Sequence, residues 1–312
     1  MGFERRCQSA INTPNDDQIK FIKGKLEEDE DKFEYQLDVL YQWLDSYNEF
    51  PKNYDRNKVM NFLRACKYDM EKCKKKLEAH FYVRHEFPHI FSNLDPRSKE
   101  IADLPLNGNA FFLPNLSPNG ERIFVLGLHN TDLDKMDVMA FVKYSYMCYD
   151  LALSQPYPVT GDIMICDGKG FNMKHFLKCI NTAVKDSIEI AYKGYLMRMK
   201  AIYIVNAPST VDKMVATWKL FLTEKIRQRV VVSKTCDILQ RVFPPNCLPE
   251  EYGGTLPKIN LLMRKWYNVL VENEKWFQDQ ESCKSTERPI TGKVEYDDRF
   301  GVEGTFRVLT ID

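Results

Sequence analysis

The chain has 312 residues, of which 44% are hydrophobic, and its 44 Lys+Arg are balanced by 44 Asp+Glu. Without net positive charge it lacks the basic surface that general nucleic-acid binding needs. No apolar run approaches the ~18 residues of a membrane-spanning helix, and the start "MGFERRCQSA" has no apolar secretion-signal core, so a cytoplasmic protein is expected.

Residues 1–25 show no strong period and read as a loose leader. "LEEDEDKFEYQLDVLYQWL" (26–44) reads as a helix, with acids in its first turns, where the helix dipole favours them, and Leu37, Leu40, Tyr41 and Leu44 at helical spacing. A second helix spans 55–65 around Val59, Phe62 and Leu63, and a third spans 68–87 around Met70, Cys73, Leu77 and Phe81. Its "KCKKK" run reads as the solvated face opposite that stripe. Pro88, Pro96 and Pro105 punctuate a linker.

From about 106 the texture changes. Short apolar runs at 122–128, 161–167, 200–206 and 229–234 alternate with helical stretches around 134–153, 172–193 and 209–227. That alternation predicts an α/β fold with a mainly parallel sheet. "LPEEYGG" (248–254) closes the unit. Beyond it, 259–277 spaces Leu262, Trp266, Leu270 and Trp276 or Phe277 as a docking helix, and Phe300, Phe306 and Leu309 are expected to anchor the tail.

Nine cysteines, an odd number and without any C-x-x-C pair, read as reduced thiols rather than disulfides or a zinc site. Motifs for nucleotide and acyl-transfer chemistry are missing. Gly168 and Gly170 lack the third glycine of a dinucleotide fingerprint, and there is no phosphate-binding P-loop or nucleophile elbow. His80, His85 and His89 do not share one helical face, and His129 and His175 stand apart, so no metal ligands are assigned. Asp167, at a strand end beside glycine, suits a turn cap better than a catalytic role. No catalytic residue and no cofactor are expected.

Positive charge gathers in one place. Residues 198–229 carry seven cations (Arg198, Lys200, Lys213, Lys219, Lys225, Arg227, Arg229) against Asp212 and Glu224. Arg198 and Lys200 share a face on a strand, and Lys225 and Arg229 share one on a helix that persists that far. Two such pairs suit a phosphorylated headgroup, and a fringe around the sheet accounts for the spacing equally well. Between them Val211, Met214, Val215, Trp218, Phe221 and Leu222 form an apolar stripe, and periodicity alone does not separate a core face from a cavity cover.

"FLRACKYDMEKCKKKL", "GDIMICDGKGF", "MKAIYIVNAP", "FLTEKIRQRV" and "LPEEYGG", in this order, resemble the CRAL-TRIO (Sec14-like) lipid-binding family over residues 35–256, closest to its tocopherol-transfer and cellular retinaldehyde-binding group. The tail "FGVEGTFRVLTID" resembles that of arthropod members. The resemblance implies a small all-helical N-terminal domain, at 26–95, and a lipid-binding α/β domain with an apolar cavity, at 96–256, which the residue patterns flank with a leader at 1–25 and a docking helix and tail at 257–312. It implies a lid from Asn206 to about Arg229. Implied pocket positions are Phe141, Tyr144, Cys148, Phe171, Ile190, Tyr195, Met197 and Ile202, with Met214 and Trp218 from the lid. Val211 and Val215 join them through the stripe. Phosphoinositide binding falls on Arg198, Lys200, Lys225 and Arg229. The implied function is a cytosolic carrier of one small lipophilic molecule (tocopherol-, retinoid- or other isoprenoid-like) that is transiently peripheral at phosphoinositide-bearing membranes. The rivals are a Sec14-type phospholipid exchanger, an α/β enzyme and a cargo-free scaffold.

Overall fold

The computed structural model describes Cys7 and residues 9–195, 197–220 and 222–286. The tail anchors Phe300, Phe306 and Leu309, and the stripe residue Phe221, lie outside them.

Four helices open the chain: α1 (Asp16–Leu26), α2 (Glu30–Ser46), α3 (Arg56–Ala65) and α4 (Met70–Glu86). Each begins at an Asn or Asp whose side chain accepts a backbone N–H of the first turn, at Asn15, Asp29, Asp55 and Asp69. Such caps satisfy donors that the helix itself leaves orphaned. The loose-leader reading fails over α1. Asn15 and Gln18 form a reciprocal capping box, and Ile22 and Leu26 pack beside Leu116. Helices α2–α4 share a core of their own around Leu37, Leu40, Phe62, Leu63 and Leu77.

The α/β unit then runs β1 (Gly108–Phe112), β2 (Glu121–Leu128), α5 (Val138–Leu153), β3 (Gly161–Asp167), α6 (Met173–Cys179), α7 (Thr182–Lys193), β4 (Met199–Val205), α8 (Val211–Lys219), α9 (Glu224–Arg227) and β5 (Val230–Val232). Strand order in the sheet is chain order, antiparallel between β1 and β2 and parallel thereafter. Right-handed crossovers with that order lay the crossover helices on one face of the sheet. The Phe124 ring on β2 accordingly meets Tyr149 of α5, with centroids 4.9 Å apart. Two helices expected to be continuous are interrupted. Residues 172–193 split at Ile180 and Asn181, and residues 209–227 split into α8 and α9 around Leu220 and Thr223.

Helix α10 (Asp237–Val242) leads to α11 (Ile259–Glu272) and α12 (Glu274–Glu281). Leu262, Trp266, Leu270 and Phe277 are buried, and the Trp266 indole N–H donates to the Phe112 carbonyl at 2.7 Å. Cys283, just beyond α12, enters the core of the N-terminal helices.

A buried charge network joins the three parts. Asp150 on α5 meets Arg84 of α4 at 2.7 Å and Lys58 of α3 at 2.9 Å. Arg84 also donates to the Gln280 carbonyl of α12 at 3.1 Å. Burial alone would raise the Asp150 carboxyl, but Arg84 and Lys58 hold it well below the usual carboxylate range.

Candidate functional site

The site is built around the segment that links β4 to β5. It leaves the sheet at Asn206, crosses as α8 and α9, and rejoins at Arg229, whose carbonyl accepts from Ile202 N at 2.9 Å. Its two ends therefore meet β4 at its C-terminal end and beside its middle, and the segment between them forms a strap.

Alternation and register define the sheet surface on the side of α5. Phe124 pairs with Met164, Met164 with Ile202, Cys166 with Ile204, and Ile202 with Val230, so these residues share one face. Phe124 is buried, whereas Met164, Cys166, Ile202, Ile204 and Val230 are only half-buried. Burial nevertheless pushes the Cys166 thiol up to about 12. These five side chains mark the least fully covered stretch of that face. On the strap, Met214 and Val215 are buried, and so is Phe176 on α6, which meets the half-buried Trp218 edge-on at 6.3 Å. None of Phe176, Met214, Val215, Cys166, Ile202 and Ile204 belongs to the contiguous core.

The other expected pocket positions separate. The Phe141 ring lies against Gly108 of β1, where an added Cβ would come within 2.0 Å of it. Cys148 meets the Ala110 carbonyl at 3.5 Å. Tyr144 is wholly buried near Cys148 and Tyr267, and its hydroxyl has no partner among the described residues. These three thus pack at β1, the sheet edge opposite β5. Tyr195 donates its hydroxyl to Asp150 at 2.9 Å and packs against His80, Phe91 and Tyr146, so it serves the buried charge network. Ile190 is buried in the contiguous core, Met197 is half-buried and packed against it, and Phe171 sits over His175 at 5.5 Å. Val211 is half-buried at the start of α8.

Three of the four cations gather. The Lys200 amine is held below its ordinary range by partial burial and by Arg198, and also by Arg229 and Lys67, with Glu121 opposing them. The Lys200 stem lies across Gly161, where a Cβ would meet its Cγ at 2.9 Å. The shared helical face proposed for Lys225 and Arg229 does not form, because α9 ends at Arg227. Lys225 is exposed on that single turn, while the Arg229 guanidinium donates to the Met199 carbonyl. The Arg198 Nη1 is buried without a partner among the described residues, beside a void of about 20 Å³ that Arg64 and Asp162 also line. Sequence reasoning missed Lys67, which comes from the α3–α4 turn, because no local spacing links it to β4.

Asp167 caps the turn after β3 by accepting from Lys169 N at 2.9 Å. It also accepts from Asn206 Nδ2 at 2.9 Å and from the Tyr252 hydroxyl at 3.0 Å. His175 is committed to Asn172 and the Thr131 carbonyl. Among the described residues no cluster of three or more His, Cys, Asp or Glu is placed to hold a metal, no disulfide joins the cysteines, and no helix is long and apolar enough to cross a membrane.

Comparison with known proteins agrees with this architecture. Residues 106–254 match the CRAL/TRIO domain, and residues 29–101 match the Pinta-like UBA domain. Alpha-tocopherol transfer protein-like from Mus musculus is 29% identical over 224 residues, which cover 70% of this chain and 63% of that protein. Clavesin-1 from Xenopus laevis is 25% identical over 215 residues, which cover 68% of this chain and 64% of that protein. This chain therefore spans less than two thirds of the length of either relative. The crystal structure of Sfh5 superposes with a TM-score of 0.51 at 18% identity, covering 85% of this chain and 99% of that one, a likeness of fold. Together, the ordered motifs and these matches show that residues 106–254 form a domain of the CRAL-TRIO family.

Proposed function

We propose that the chain is a carrier that holds one small lipophilic molecule between the strap and the sheet and exchanges it at phosphoinositide-bearing membranes. The observation that carries this reading is the pair of apolar surfaces outside the contiguous core. They are Met214 and Val215 on the strap, and Cys166, Ile202 and Ile204 on the sheet. The half-buried ones, Cys166, Ile202 and Ile204, lack part of the contacts that would stabilise them. A tocopherol-, retinoid- or other isoprenoid-like molecule would restore those contacts without needing a charged partner. The interaction is non-covalent and no reaction is catalysed, a view supported by the commitment of Asp167 and His175 to structural hydrogen bonds. The carrier is cytoplasmic and transiently peripheral at membranes.

Arg198, Lys200, Arg229 and Lys225 take the anionic headgroup in this reading. The mutual influence of the first three supports it. Each cation at an anionic surface contributes ~1 kcal/mol, so removing all four charges costs ~4 kcal/mol, roughly a thousandfold in membrane affinity. Glutamine at 198 and 229, which keeps an N–H donor, with alanine at 200 and 225, removes charge with the least disturbance of β4. Equal binding of this variant and the wild type to phosphoinositide vesicles would refute the headgroup site. Native mass spectrometry of the purified protein tests the cargo. An apolar ligand supports the carrier, a phospholipid indicates a Sec14-type exchanger, and no ligand in any preparation indicates a scaffold.

A further inference from the structure

We infer that Asp167 is a positioning residue for the strap, fixing its first residue, Asn206, and thereby the closed position. This rests on the reading of 206–229 as a lid. Asn206 has a left-handed backbone, with φ at +48°. Asparagine tolerates that conformation better than most residues, though still at a cost. Its side chain is tied across to the end of β3, where Nδ2 donates to Asp167 Oδ1 at 2.9 Å. The same carboxylate holds two further elements. Oδ1 accepts from Lys169 N in the turn after β3, and Oδ2 accepts from the hydroxyl of Tyr252, which is 1% exposed in the chain reversal at 248–254. Asp167 thus fastens the strap's first residue to two parts of the body.

The surroundings reinforce this joint. Gly168 N donates to the Val205 carbonyl at 2.8 Å, and a Cβ on Gly168 would lie 3.1 Å from the Asn206 carbonyl oxygen and 3.2 Å from Pro208 Cδ. The turn after β3 therefore sits flush against the start of the strap, where a Cβ would fit only if its neighbours gave by a few tenths of an ångström. Ala207 N is held by the Ser233 carbonyl at 3.1 Å, so the rigid part ends within a residue or two of Asn206. Hinges of this kind concentrate the backbone change in a few residues at the end of an element. The far end of the strap is fixed independently, by the Arg229 guanidinium on the Met199 carbonyl. Releasing Asp167 should free one end only.

Hydrogen exchange of the cargo-free protein tests this without reference to any ligand. In Asp167→Ala and in Asn206→Gly, which keeps the left-handed backbone and loses the side-chain tie, amides 206–219 should exchange at least about tenfold faster. Amides 224–232 and α5 should exchange as in wild type. Asp167→Asn retains an acceptor for Asn206 and should restore protection. If Asp167→Ala does not fold, Asn206→Gly decides the matter alone. Wild-type exchange at 206–219 in Asn206→Gly would overturn the inference, and so would a uniform acceleration that includes α5. If instead the hinge behaves as expected while Trp218→Ala leaves cargo binding intact, the joint stands and the lid reading falls.

Discussion

The two sides of the sheet are made from similarly apolar strands and reach different states. Strand β1 is buried throughout, and so is β2 from Glu121 to Val125, whereas β4 is half-buried from Ala201 to Ile204. On the first side Phe112 and Phe124 lock against Tyr149 and Trp266 with ring centroids 4.7–5.9 Å apart. On the second, the segment that links β4 to β5 is a broken helix whose buried residues stay outside the core. The lesson is that one sheet can be tightly locked along one edge and only partly covered along the other. The side closed by aromatic packing holds the fold, so the other side need not be packed as tightly.

The largest effect is expected where the closed side is anchored. Asp150→Ala leaves Arg84 and Lys58 buried without their counter-charge, which costs ~3–5 kcal/mol. Denaturant titration should show it, and a loss under ~1 kcal/mol would mean that the closed side does not depend on the network. A direct contrast comes next. Phe124→Ala should cost ~3–5 kcal/mol, whereas Ile202→Ala on the same face should cost ~1–2 kcal/mol because it has fewer contacts to lose. Equal losses would erase the distinction between the two sides.

A pH profile sharpens the same contrast. His80 is buried against the Gly194 carbonyl, and burial pushes its pKa down to about 3, with Lys58 and Arg84 adding to the effect. The unfolded chain takes up this proton near 6.5, so the stability is present above about 6.5 and is lost as the pH falls toward 3. The slope from this group is ~1.4 kcal/mol per pH unit, and His80→Asn, which keeps a neutral donor, should remove it. An unchanged slope would show that His80 is not held neutral. The smallest effect belongs to the open side. Trp218→Ala should weaken cargo binding roughly tenfold, ~1.4 kcal/mol, with little change in stability. Unchanged cargo affinity would mean that α8 does not cover the site.

What could be read in advance follows the range of the interactions. Helices with an acidic first turn or a clear apolar stripe, such as α2, α3 and α4, announce themselves because cap, period and dipole act within a few residues. Strands β2, β3 and β4 do so through short apolar runs. Strand β1 escaped notice because "GNAFF" is brief and pairs antiparallel with β2 through a turn, without the crossover helix that marks the others. Helix α1 carries a legible signal in the capping pair Asn15 and Gln18, although its period is weak. The break at Leu220 and Thr223 was hidden because the apolar stripe continues through it, although Thr223 is a good cap and accepts from Ile226 N. Among site residues, Arg198 and Lys200 follow from strand spacing. Lys67, and the sharing of Asp167 between Asn206 and Tyr252, require contacts between distant segments that no periodicity encodes.

The buried charge network also imposes an order on synthesis. Arg84 finds Asp150 only 66 positions later in the chain, and Lys58 finds it 92 positions later. Arg84 must wait a further stretch for the Gln280 carbonyl, 196 positions away. While the chain emerges from the ribosome, the N-terminal helices therefore carry two cations destined for an interior that does not yet exist. Burying them early would cost far more than leaving them in water. These helices are thus made before the α/β unit, and their final packing waits until Gln280 has been made.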